Sequence, residues 1–333
     1  MGCHRSGTNL LYDTLLSAGG FAIYRGILPV YKTLVPRYGS LNSRANREKI
    51  VAIWLRSKGF RRAELNADQI SSRILNECRT AGDFTRVVMD SVAQQQNITR
   101  WAGYDADHVL YVDRIKKEIP NALFVHIIRD GRDIALSLKK MGGFTPLPWD
   151  RSETDSLVAT ALYWEWMVRR GRDAGRRIPA DYIEVRYEDL VTNPHETLRR
   201  LGSFIDHDLD YDRIHKTGLG RLSDTNSSFR EEGKQNINPL GRWKQRLSPA
   251  AVSAIEATVG ACLEENGYEL SLPAAERRLT PRCAWMREMY PAFLETKLWL
   301  KWNTPFGRMA NLHELEIDED LQPASQSHHP AQN

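Results

Sequence analysis

The spacing of apolar residues divides this chain into alternating helices and strands. Leu10, Leu11, Leu15 and Ala18, with Thr14 among them, recur at helical intervals directly after a polar stretch, which predicts a helix packed on a sheet. Residues 122–128 form a continuous apolar run of strand length. A charged turn at 129–133 ends it, and Ile134, Leu136, Leu138 and Met141 begin a second helical pattern. Leu157, Ala161, Trp164, Met167 and Val168 predict a helix over 156–170, and 182–187 alternates as a short strand does. Strand, helix and strand in this order predict an α/β fold, a doubly wound parallel sheet flanked by helices.

Other segments read differently. Residues 27–100 look mainly helical and lack sheet signals, with helices predicted at 67–77 and 84–96. Residues 142–148 are rich in turn formers and predict a loop at the edge of a site, while 219–240, which includes Arg230, lacks periodicity and reads as a loop able to fold over a bound nucleotide. Residues 285–302 give an amphipathic helical pattern interrupted by Pro291, a segment expected to pack on the domain. Residues 313–333 are acidic and then polar, which predicts a disordered tail.

Residues 2–9, Gly-Cys-His-Arg-Ser-Gly-Thr-Asn, carry the strongest chemical signal. Gly2 and Gly7 allow the backbone to turn its N–H groups inward, and Ser6, Thr8 and Asn9 add side-chain donors at the positive end of the following helix. The frame is that of an ATP-binding loop, yet Thr8 stands where the lysine belongs and Arg5 supplies the charge from inside the loop. A capped helix start explains the same residues when they are taken alone. The second segment favours the phosphate site: Arg129 leaves the carboxyl end of a buried strand, and Ser137 lies two turns into the next helix, so both can converge on one phosphate.

Composition adds bounds. The 333 residues, 41% hydrophobic and 26% charged, suit one mid-sized enzyme, and no apolar run reaches membrane-spanning length. A net charge of +4 does not mark a nucleic-acid binder. Cys3, Cys78, Cys262 and Cys283 lack Cys-x-x-Cys spacing, which indicates reduced thiols, a cytoplasmic protein and no structural zinc. His328 and His329 lie in the polar tail, where disorder explains them better than a metal. Basic residues crowd positions 37–73, including Arg56, Arg61 and Arg62, and read first as a solvated helix face and second as the lining of an acidic acceptor path. The opening Met-Gly-Cys-His-Arg-Ser fits an acylation pattern, but the phosphate loop needs the same residues.

Taken together, these segments resemble the sulfotransferases that use 3′-phosphoadenosine 5′-phosphosulfate. Residues 2–11 are similar to that family's 5′-phosphosulfate loop in its bacterial Arg-Ser-Gly-Thr form, and 124–137 to its 3′-phosphate motif. Tyr187-Glu188-Asp189 is similar to a family segment whose tyrosine lies by the adenine, and Gly241-Arg242-Trp243-Lys244 to a late Gly-x-Trp-Lys/Arg motif. The resemblance spans residues 2 to about 249 in the family's order, with residues 1–270 as the expected domain, 27–100 as its acceptor-side insertion and 271–312 as a helical extension. It implies a phosphosulfate donor gripped by Gly2, Arg5, Ser6, Gly7, Thr8 and Asn9 at one end and by Arg129 and Ser137 at the other, with Tyr187 at the base. It also implies a hydroxyl acceptor, first a carbohydrate or glycoconjugate and second a protein tyrosine or small metabolite, and no metal.

The chain departs from the family pattern in its catalytic base. The glutamate usual after the first helix is absent from 21–29, and a Lys-Thr-Pro-x-His element appears as Tyr-Asp-Ala-Asp-His, keeping only His108. His108 is therefore the expected base, with Asp105 or Asp107 to orient it or act instead, unless the histidine merely caps or packs. A strand usually runs into the first glycine, but only Met1 precedes Gly2, so the sequence predicts a vacant sheet position and a natural start further upstream. The rival readings are a nucleotide-dependent phosphotransferase and a non-catalytic nucleotide-binding homologue.

Overall fold

The computed structural model describes residues 1–141, 147, 152–217 and 239–317. The first predicted helix is α1, Thr8–Ala18, which opens directly from the loop. The apolar run becomes β1, Phe124–Ile128, and the alternating segment becomes β2, Tyr182–Arg186. These strands pair in parallel, Phe124 opposite Tyr182 and Ile128 opposite Arg186. A parallel pair needs a long crossover, and here it is helical, through Gly131–Met141 and Glu153–Arg177. The fold is α/β, rich in helix, with a two-stranded parallel sheet among the described residues.

Each strand end delivers a residue to one place. β1 is almost wholly buried, as its mainly apolar pattern favours, with His126 buried at its centre, and it releases Arg129 at its carboxyl end. β2 ends at Arg186, so Tyr187 starts the short helix Tyr187–Thr192 instead of closing the strand. On the edge of β1 away from β2, the Met1 ammonium donates to the Val125 carbonyl at 3.0 Å and the Ile127 N–H donates to the Met1 carbonyl at 2.9 Å. Met1 alone meets that edge, and among the described residues no strand precedes the loop, as the sequence predicts. Gly2 follows at φ 155°, where an added Cβ would lie 2.3 Å from the Ile127 carbonyl oxygen.

The helical region forms as the pattern predicts, with caps refining its boundaries. The helix expected at 67–77 is Ala67–Glu77, capped by Asn66. The one expected at 84–96 begins earlier, at Ala81, because Thr80 and Asp83 form a reciprocal capping box. Its core, around Trp54, Ile74 and Phe84, is shared with Val112, Ile115 and Leu315. Within it, Val30–Leu34 makes a π-helical turn that buries Val30, Tyr31, Thr33 and Leu34 and carries Lys32 among them.

The C-terminal helix is continuous over Pro281–Asn303, with Pro291 inside it. Proline was expected to interrupt this pattern, but Cys283, Met286, Tyr290 and Leu294 are buried on both sides of it and hold the two halves in line against the helix Glu153–Arg177. Trp166 Nε1 donates to Glu295 across that contact at 2.7 Å. Residues 313–317, predicted as the start of a disordered tail, fold back: Leu315 is buried and Ile317 bridges Ser57. The rest of that tail, with His328 and His329, lies outside the described residues, as do Arg230 and all of the two predicted loops except Leu147, Pro239 and Leu240. Among the described residues no helix is long and apolar enough to cross a membrane, and all four cysteines are buried and unpaired.

Candidate active site

The loop is shaped by its backbone. Arg5 has φ 73° and Gly7 φ 99°, two left-handed residues that fold the loop over the start of α1. Gly7 caps that helix with no side-chain hydrogen bond, leaving the first N–H groups of α1 for a ligand. A Cβ at Gly7 would lie 2.4 Å from the Tyr187 ring, so loop and ring are in direct apposition. Gly7→Ala is expected to cost about 1–3 kcal/mol through φ strain and this clash, seen as a lower thermal midpoint.

The two predicted phosphate elements meet. Arg5 Nε donates to Ser137 Oγ at 3.1 Å, and Arg129 Nη1 donates to the Arg5 carbonyl at 3.2 Å. The Arg129 guanidinium also lies 4.4 Å over the Tyr187 ring and donates from Nη2 to the Pro239 carbonyl at 2.5 Å. Arg5, Gly7, Thr8, Asn9, Arg129, Ser137 and Tyr187 line one cavity of about 590 Å³, a size suited to a nucleotide. Gly2 and Ser6 lie behind it, supporting the turn.

Arg242 belongs to the same cavity, although the sequence offered it only as part of a landmark. It is placed by the carboxylate of Asp133, which accepts from the backbone N–H groups of both Gly241 and Trp243 at 3.0 Å. Behind it, Trp243 Nε1 donates to Asp130 at 3.1 Å and Arg132 stacks 3.8 Å over the indole. Glu188 accepts from the Asp130 N–H at 3.0 Å and from the Tyr268 hydroxyl at 2.9 Å. The charged turn, the Tyr-Glu-Asp segment and the late Trp motif are therefore one buried hydrogen-bonded frame.

Electrostatically the cavity is prepared for anions. Burial and the neighbouring Arg129 both depress the proton affinity of Arg5 and of Arg242. Farther along the wall stand Arg25 and Arg62, and the single carboxylate among the described lining residues, Asp13, is paired with Arg25 at 2.8 Å. Ser6 Oγ and Arg129 Nε are buried with no hydrogen-bond partner. Of these two only Arg129 lines the cavity, and its unsatisfied N–H beside clustered guanidiniums fits a ligand with several phosphate oxygens.

His108 stands apart from this group. It sits in the 3₁₀ turn Ala106–Leu110, edge-on to Tyr31 with ring centroids 6.5 Å apart, and it is not among the cavity's lining residues. Burial lowers its pKa below the ordinary imidazole value. The histidine that does border the cavity is His4, which hydrogen-bonds Asp107. No spacing signal marked it, because it is simply the loop residue before Arg5. Among the described residues no cluster of metal-ligating side chains occurs.

A family model described as the sulfotransferase family matches residues 1–211, which include the loop, both strands and every lining residue named above except Arg242. The chain belongs to the sulfotransferase family. This sulfotransferase is 22% identical over 220 residues to a Caenorhabditis elegans protein named "Putative protein-tyrosine sulfotransferase", a match that covers 64% of this chain and 81% of that one. A Caenorhabditis briggsae protein of the same name is 22% identical over 219 residues, covering 64% and 75%. Among solved structures, the sulfotransferase domain of the Synechococcus PCC 7002 olefin synthase gives a TM-score of 0.47 at 15% identity, covering 87% of this chain and 92% of that one. The sulfotransferase domain of the curacin biosynthetic pathway gives 0.45 at 11%, covering 86% and 94%. The sulfotransferase is an enzyme that transfers a sulfuryl group, and its chemistry asks a protein mainly for positioning and charge stabilisation.

Proposed function

We propose that this sulfotransferase takes its sulfuryl group from 3′-phosphoadenosine 5′-phosphosulfate and passes it to a hydroxyl, with a protein tyrosine as the favoured acceptor. The observation that carries the donor reading is the convergence of Arg5, Arg129 and Arg242 on one cavity, tied by the Arg129 bond to the loop carbonyl of Arg5. The donor supplies an activated sulfuryl group on a 5′-phosphate. Arg5 and the N–H groups at Gly7 to Asn9 suit that end. Arg129, Ser137 and Arg242 suit a 3′-phosphate, and Tyr187 offers a ring to the base.

The acceptor reading rests on different support. Carbohydrate was the first expectation from the sequence, whereas both relatives are named for protein tyrosine. Arg25 and Arg62 on the cavity wall favour an acceptor with negative charge near its hydroxyl.

Calorimetry with 3′-phosphoadenosine 5′-phosphate tests the donor. It is expected to bind at least about 10-fold more tightly than adenosine 5′-phosphate, because a second phosphate adds charge-assisted hydrogen bonds. Equal affinity, or a preference for ATP, would favour the phosphotransferase reading and sink this one. Mass spectrometry of products from tyrosyl-peptide and oligosaccharide acceptors then decides the acceptor class.

A further inference from the structure

His4 precedes Arg5 in the loop and borders the same cavity, with its ring 37% exposed. Its Nε2 lies 3.1 Å from Oδ1 of Asp107, a carboxylate that is 4% exposed. The second oxygen of Asp107 pairs with Lys32 from the π-helical turn, and Lys32 also pairs with Glu314 from the folded-back C-terminal segment. Burial opposes charge on both members of the His4–Asp107 contact, and the contact outweighs it. The Asp107 carboxyl is held well below the usual carboxylate range, and the His4 imidazole is raised above its ordinary value. Asp105 also favours the His4 cation, and Lys32 disfavours it.

An ionised Asp107 can only accept, so Nε2 of His4 carries the proton in the neutral ring and Nδ1 keeps a lone pair. Among the described residues Nδ1 has no protein partner. We propose that His4 is the general base of sulfuryl transfer, with Asp107 and Lys32 as the positioning residues that fix its tautomer and orientation. The proposal rests on the donor reading above. The acceptor's hydroxyl oxygen forms the new bond to sulfur as the bond from sulfur to the 5′-phosphate oxygen breaks, and that oxygen keeps the electron pair. The hydroxyl proton passes to Nδ1 of His4 and then to solvent. His108, the histidine expected from the sequence, is the competing candidate.

Two phenols separate these roles. With a tyrosyl peptide at neutral pH, His4→Ala is expected to lower kcat about 100-fold. With 4-nitrophenol under conditions where it is already ionised, the same variant should lose little, because no proton needs removing. For the wild type, kcat rises as pH passes upward through the His4 pKa. Asp107→Asn removes the contact that raises it, so the midpoint moves to lower pH. Nuclear magnetic resonance of the ring nitrogens, in the complex with 3′-phosphoadenosine 5′-phosphate, should show the Nε2–H tautomer and the same downward shift. The assignment is overturned by equal loss with both phenols, by an unchanged pH profile in Asp107→Asn, or by a profile that vanishes in His108→Ala and survives in His4→Ala. Loss of nucleotide binding in His4→Ala would make His4 a donor ligand and equally overturn it. Failure of the wild type to bind the nucleotide would instead sink the donor reading.

Discussion

Replacing Arg5 with alanine will lower kcat/KM for sulfuryl transfer by about 1,000-fold. Arg5 is the loop's own cation, held at a left-handed φ of 73° that fixes its guanidinium beside Ser137. Negative charge grows on the departing nucleotide oxygen during transfer, and a prepositioned guanidinium in a partly dry cavity stabilises that charge more than the ground state. Its depressed proton affinity, caused by burial and by Arg129, reflects repulsion that an incoming anion relieves. The loss should therefore fall on kcat as well as on donor affinity, and Arg5→Lys should recover only part of it, since a lysine has no Nε–H to hold Ser137 while its terminal charge faces the anion. Steady-state kinetics on both variants, with nucleotide calorimetry alongside, checks this. Unchanged turnover in Arg5→Ala would remove the arginine from the chemistry.

Arg132→Met is expected to destabilise the fold by about 3–5 kcal/mol, although the residue never reaches the cavity. Arg132 is 2% exposed and satisfies two buried carboxylates at once, Asp130 through Nε and Nη2 and Glu256 through Nη1 at 2.6 Å. A methionine fills much of the volume but leaves both carboxylates without their cation. Glu256 keeps bonds from Ser271 and Leu272, so the damage should be partial unfolding stress and not outright collapse. Burial opposes ionisation of Glu256, but Ser271 and Arg132 more than offset it and hold its pKa below the ordinary value. A depressed carboxylate contributes stability above its unfolded pKa and loses it as pH falls through the folded one. The gap between wild type and variant should therefore narrow on acidification. Denaturant unfolding at neutral pH and at a pH below the ordinary glutamate pKa measures both effects, and a gap that widens in acid would contradict the assignment.

The sequence made some of this legible for clear physical reasons. A strand as largely apolar as β1, with His126 its one polar residue, announces itself, and the glycines at positions 2 and 7 are required by backbone geometry that no other residue tolerates easily. The crevice at the end of β1 joined Arg129 to Ser137, and the resemblance of both segments to one family implied that Arg5 serves the same donor. Arg242 was hidden because its placement depends on Asp133, a contact across more than a hundred residues of chain. Lys32 was hidden for the same reason, since nothing near it in the sequence foreshadows an encounter with Asp107. The continuous helix through Pro291 shows tertiary burial overriding a local breaker.

The fold-back of residues 313–317 ties remote chemistry to the end of the described chain. Glu314 competes with Asp107 for the ammonium of Lys32, so trimming this segment would let Lys32 lean wholly on Asp107 and draw electron density away from His4. A fusion partner or protease acting there would detune the loop histidine without touching the nucleotide pocket.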